Sequence, residues 1–185
     1  MLRPMPQTRY HGIAIALHWL IALLLICGFA LGLYMVYLPF SPQKLTFYSY
    51  HKWIGVSIFT FALLRVLWRL THQPPPLPVS VPRWQVAASN ATHWLLYVFL
   101  LAAPLSGWLY SSAAGVPTVP FGIAALQLPD LIEKNRELAG TLKFVHLSIT
   151  YSFAGLVALH VAAVFRHLLI DRDGIMRRML PVKYS

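Results

Sequence analysis

Apolar residues gather into four long stretches, roughly 11–37, 47–69, 89–112 and 141–168, divided by segments that concentrate the charges and most of the prolines. Each stretch reaches the ~20 residues a helix needs to cross the hydrocarbon of a bilayer. Together they take up most of the 185 residues. The pattern predicts an all-α fold, an integral membrane four-helix bundle, read as a single transmembrane domain over 1–185 with no room for a second folded unit.

The connections support this division. Gln73-Pro74-Pro75-Pro76-Leu77-Pro78, with Pro82 beyond, cannot continue a helix and reads as a stiff, extended strap that ends span two. Residues 113–140 contain Gly115-Val116-Pro117, Pro120 and Pro129; they are too polar and too broken to span, with a short surface helix expected at 130–140. No signal-peptide cleavage pattern follows the first apolar stretch, so it is read as a retained span.

Composition agrees with the pattern: 58% of residues are hydrophobic, 11% are charged, and the mean hydropathy is +0.62. Charge adds the orientation. Arg3, Arg9, Arg65, Arg69, Arg83, Arg166, Arg172, Arg177, Arg178 and Lys183 fall on one side of the four spans. The other side has Lys44, Lys52, Lys134, Arg136 and Lys143, partly offset by Asp130, Glu133 and Glu137. The positive-inside rule then predicts both termini in the cytoplasm. The net charge of +10 is read as attraction to lipid headgroups, with no nucleic-acid partner.

The one cysteine, Cys27, lies mid-span, which excludes a disulfide framework and a thiolate metal cluster and leaves a small apolar filler as the expectation. With no C-x-x-C-H present, any haem would be held non-covalently, as a b-type centre.

Eight histidines in so apolar a chain carry the candidate chemistry, because an ionisable side chain at membrane depth is costly and marks a site. His11, His72 and His167 fall at a span boundary and need no functional reading. His18, His51, His146 and His160 lie within spans. His146 and His160 are 14 residues apart, close to four turns, so they project from one helix face about 21 Å apart. Following the alternating direction of the spans, His51 matches the depth of His146 towards the outside, and His18 that of His160 towards the cytoplasm. Two bis-histidine sites are predicted. Paired imidazoles from facing helices suit haem, a broad apolar disc whose iron takes two axial ligands. Zinc or copper would lack further ligands, since no acidic residue lies in the spans.

Arg65 follows His51 by 14 residues, on the same face and at the inner level, and could pair a haem propionate or serve as an interfacial anchor, the reading preferred for Arg69. Lys52 and Lys143 admit the same two readings at the outer level. Gly55 and Gly155 are expected to let a flat cofactor approach the backbone. His93, beside Trp94, is a candidate for a quinone pocket, against an interfacial role.

His18-Trp19, His51, the Arg65-Val-Leu-Trp-Arg69-Leu end of span two, the proline strap, and His146 with His160 together resemble the bacterial cytochrome b561 family across essentially the whole chain. The family is also similar to the cytochrome b subunits of nickel–iron hydrogenases and formate dehydrogenases. The resemblance implies a di-haem b protein of the inner membrane with His18, His51, His146 and His160 as ligands and ubiquinone as electron acceptor. In one branch it implies oxidation of periplasmic superoxide. Two functions follow as expectations: a stand-alone redox protein passing single electrons from an external donor to ubiquinone, or a haem-bearing anchor subunit of a dehydrogenase or hydrogenase. A transporter is disfavoured, because no inverted repeat or broken helix pair is visible.

Overall fold

The computed structural model describes residues 9–76 and 81–181. Four long helices make up the bundle: α1 (Gly12–Tyr37), α2 (Pro42–Thr71), α3 (Arg83–Ala113) and α4 (Arg136–Arg166). Among the described residues there is no strand. Every helix is long and apolar enough to cross a membrane.

Three of the helices begin well before their apolar windows, because capping residues set the starts. Ser41 accepts from the Lys44 amide with Pro42 in the first turn, and Asn135 accepts from the Leu138 amide. Pro82 immediately precedes α3. The short helix expected at 130–140 is therefore not separate: α4 itself starts at Arg136, and the single-turn helices of this connection lie at Pro120–Gly122 and Ala124–Leu126. The strap is non-helical through Pro76, while Leu77 and Pro78 lie outside the described residues.

Only 6% to 28% of the most apolar window of each helix is buried within the chain, which leaves a large apolar surface for lipid. Cys27 belongs to that exposed surface, which corrects its reading as a buried filler. The core proper lies at mid-bundle, where Ile21, Ile58, Ala62, Leu100 and Phe153 meet. Phe153 stands seven residues from both His146 and His160 and stacks on Phe99, with ring centres 5.8 Å apart and planes 9° apart. It thus separates two levels of the bundle. Backbones approach closely between α1 and α2, α2 and α3, and α3 and α4, whereas α4 comes near α1 and α2 only sparsely.

A candidate cofactor site at two levels

Across those two looser gaps the histidines meet. His51 of α2 faces His146 of α4 with ring centres 6.3 Å apart and planes at 82°, near the first and third connections. His18 of α1 faces His160 of α4 at 6.5 Å and 77°, near the chain termini. These are termed the loop level and the terminal level. All four predicted histidines are thus brought together in the two predicted pairs.

At the loop level both rings sit in the same kind of cradle. Gly28 and Gly32 are one turn apart on α1; the Gly28 carbonyl lies 3.0 Å from His51 Nδ1, and a Cβ on Gly32 would lie 3.1 Å from His51 Cε1. Gly28 itself is close against Ile54, where a Cβ would lie 3.1 Å from a methyl carbon, so the absent side chain is what lets its carbonyl reach α2. On α3, Ala103 and Gly107 repeat the arrangement. The Ala103 carbonyl lies 3.1 Å from His146 Nδ1, and a Cβ on Gly107 would lie 3.1 Å from His146 Cε1. Ser106 Oγ donates to the same carbonyl and lies 3.0 Å from His146 Nδ1. A carbonyl accepts only, so each Nδ1 carries the proton and each Nε2 keeps the lone pair a metal needs.

The sequence reading missed these cradles. Gly28-Phe-Ala-Leu-Gly32 has the G-x-x-x-G spacing of close helix packing, and Ala103-Pro-Leu-Ser-Gly107 is its small-residue counterpart, so the signal was present. Of the glycines proposed instead, Gly55 leaves open space at its Cβ position. Gly155 does not belong to the site. It is exposed and, nine residues from His146, lies half a turn away from the histidine face.

The terminal level is built differently. His93 of α3 adds a third ring, 5.5 Å from that of His160, and its Nδ1 lies 2.7 Å from the Ser89 carbonyl. Arg65 reaches across the bundle: Nε donates to the Tyr97 hydroxyl at 3.2 Å and Nη1 to the Ala14 carbonyl at 3.2 Å, within electrostatic range of His18, His93 and His160. Arg69 lies over the rings of Trp94 and Tyr97, at 5.9 and 5.7 Å from their centres, more than a bare interfacial anchor. The boundary histidines have structural roles. His11 caps α1, His72 stacks on Trp68 with centres 3.8 Å apart, and His167 pairs with Asp173.

Lys52 donates to the carbonyls of Val116 and Pro117, and Trp53 Nε1 to that of Val119, so both tie the third connection down beside His51. From the last turns of α3, Ser111 Oγ donates to Val116, Ser112 Oγ accepts from Leu131, and Trp108 Nε1 donates to Pro129 of that connection. The loop is a built cap rather than a loose tether.

The donor set can be tested against a haem. Two metal–imidazole bonds of about 2.0–2.1 Å, each continued by about 1.1 Å to the ring centre, put coaxial ring centres about 6.2–6.4 Å apart. Both predicted pairs meet that separation, and each bridges helices whose backbones stand apart. The closer His93–His160 pair falls short of it. Fold and site together define a membrane-embedded helical bundle whose paired imidazoles suit a planar metal cofactor.

Comparison with known proteins is consistent with this class. The family model described as prokaryotic cytochrome b561 matches residues 9–182, and the chain belongs to that family. It is 34% identical to Cytochrome b561 homolog 2 of Escherichia coli (strain K12) over 180 residues, covering 93% of this chain and 91% of that protein. Identity to the probable superoxide oxidase CybB of Yersinia pestis is 26% over 184 residues, covering 96% and 98%. Cytochrome b561 homolog 1 of Escherichia coli (strain K12) is 24% identical over 176 residues, covering 95% and 98%. The protein is therefore a multi-pass bacterial inner-membrane protein that uses haem b for electron transfer.

Proposed function

We propose that the chain holds two b-type haems, one between His51 and His146 and one between His18 and His160, and carries single electrons from an external donor to ubiquinone. The observation that carries this reading is the two imidazole pairs at matched depth, with ring centres 6.3 and 6.5 Å apart. Held by these imidazole pairs, His51 with His146 and His18 with His160, a haem would supply reversible one-electron chemistry.

The protein's own groups tune and orient these sites. Proton donation from Nδ1 of His51 and His146 to backbone carbonyls fixes the ring planes and raises the basicity of Nε2. Arg65 uses two of its donors on Tyr97 and Ala14, and offers the others to a propionate at the terminal level. The excess of Lys and Arg beside the terminal level supports a cytoplasmic placement of that level and an outer placement of the loop level.

At the outer end, Lys134, Arg136 and Lys143 line one cleft beside Tyr110 and favour an anionic donor by electrostatic steering. The relative named as a probable superoxide oxidase makes superoxide the first donor to assay. The balance is two superoxide anions oxidised to two molecules of oxygen, while one ubiquinone takes the two electrons and two protons to become the quinol.

Stopped-flow reduction of the purified protein by superoxide, with and without ubiquinone, tests this order. The His160→Ala variant should be reduced as fast as the parent yet fail to be reoxidised by ubiquinone, whereas His146→Ala should fail at the first step. Reoxidation of the His160→Ala variant at the parent rate would place ubiquinone at the loop level and overturn the cross-membrane order.

A further inference from the structure

Beyond α4 the chain turns back on itself. A wide turn at His167–Asp171 leads to Arg172 in the left-handed region (φ 47°) and to Gly174 (φ 74°), and a last helical turn follows at Met176–Met179. The reversal is latched locally. The Asp173 carboxylate accepts from His167 Nδ1 through one oxygen, at 2.6 Å, and from the Ile175 amide through the other, at 3.0 Å. Three consecutive carbonyls of the returning segment then serve α1 and its approach: Arg178 accepts from the Tyr10 amide at 3.3 Å, Met179 from Trp19 Nε1 at 2.8 Å, and Leu180 from the Arg9 guanidinium. The Arg178 guanidinium reaches the Pro76 carbonyl in the strap after α2, at 2.7 Å.

This contact network sits at one of the two gaps where helix packing is sparse. α1 and α4 approach only sparsely, yet His18 and His160 must keep their separation across that gap. The glycine cradles of the loop level have no counterpart here: among the described residues, no hydrogen bond holds a ring nitrogen of His18 or His160. Trp19 follows His18 directly, its ring centre 5.4 Å from that of the histidine. Its indole N–H is also what anchors it on the returning segment.

We infer that residues 173–180 form a clasp that sets the spacing of α1 and α4 at the terminal level, with Trp19 and Asp173 as positioning residues for the His18–His160 site. The inference rests on the two-level reading above. By the same logic Trp53, whose indole N–H is held by the third connection, serves the loop level.

The test uses the full-length, haem-loaded protein and two variants acting at different points, Trp19→Phe and Asp173→Ala. Trp53→Phe serves as the opposite-level comparison. Haem release to a scavenger, midpoint potentials and low-spin paramagnetic spectra are read for each level, with components assigned from His160→Ala and His146→Ala. Loss of the one N–H in Trp19→Phe should speed release from the terminal level about fivefold, the equivalent of one net hydrogen bond. It should also shift the potential of that component alone. Asp173→Ala should act in the same direction, and Trp53→Phe on the other component. Effects falling equally on both components, or on neither, would overturn the inference. Trypsin cleavage at Arg177 and Arg178 reads the clasp whatever the haem count. It should quicken in both terminal-level variants, and an unchanged rate in both refutes the clasp. A parent protein holding a single haem would instead refute the two-level reading.

Discussion

Replacing Gly107 by Ala isolates the loop-level cradle from the fold. The added Cβ would lie 3.1, 3.3 and 3.6 Å from Cε1, Nδ1 and Nε2 of His146. Comfortable contacts between such atoms run about 3.5–4.0 Å, so the ring must retreat by roughly half an ångström. It cannot do so freely, because Nδ1 is held at 3.1 Å by the Ala103 carbonyl and at 3.0 Å by Ser106. Weakening one such bond costs about 1 kcal/mol, or about fivefold in affinity for a cofactor held on Nε2. The helix itself gains up to about 1 kcal/mol from Gly→Ala. The two effects separate by assay. Thermal unfolding of cofactor-free protein should be unchanged or slightly raised, while haem release to a scavenger should quicken about fivefold for the loop-level component alone. Release of both components at the parent rate would show that the His146 ring is not confined by Gly107, and the cradle would lose its role.

Replacing His51 or His146 by Ala should lower the haem-to-protein ratio from about two to about one by removing the loop-level signal, and His18→Ala or His160→Ala should remove the other; pyridine haemochrome analysis with low-temperature spectra decides this. Ser106→Ala should raise the loop-level midpoint potential by up to about 40 mV, since losing one acceptor of about 1 kcal/mol at His146 Nδ1 makes Nε2 a weaker donor to oxidised iron; spectroelectrochemical titration reads the shift. Arg65→Gln should lower the terminal-level potential, because a cation beside the site favours the reduced, less positive iron, and an unchanged value in the same titration would remove Arg65 from the site.

Periodicity along a single helix settled much of this protein. The four spans were legible because crossing hydrocarbon demands long apolar runs, whatever the helices later touch. His146 and His160 could be placed on one face because 14 residues of a regular helix fix their relative direction before any packing occurs. Depth matching then followed from the alternation of span direction. Helix starts were less legible, since Ser41 and Asn135 extend α2 and α4 into residues that read as loop.

What the spacing could not decide were contacts between helices. Which carbonyl receives Nδ1 of His51 depends on how closely α1 approaches α2, and that closeness comes from Gly28 lying against Ile54. Gly155, chosen for lying between two histidines in sequence, points away from them once the rotation of the helix is followed. Lys52 carries a charge that sequence assigns equally well to a propionate or to lipid, and the fold gives it to the carbonyls of Val116 and Pro117. The return of Met179 to Trp19 joins residues 160 positions apart. Such a contact leaves no periodic trace, because main-chain carbonyls, common to every residue type, supply the acceptors.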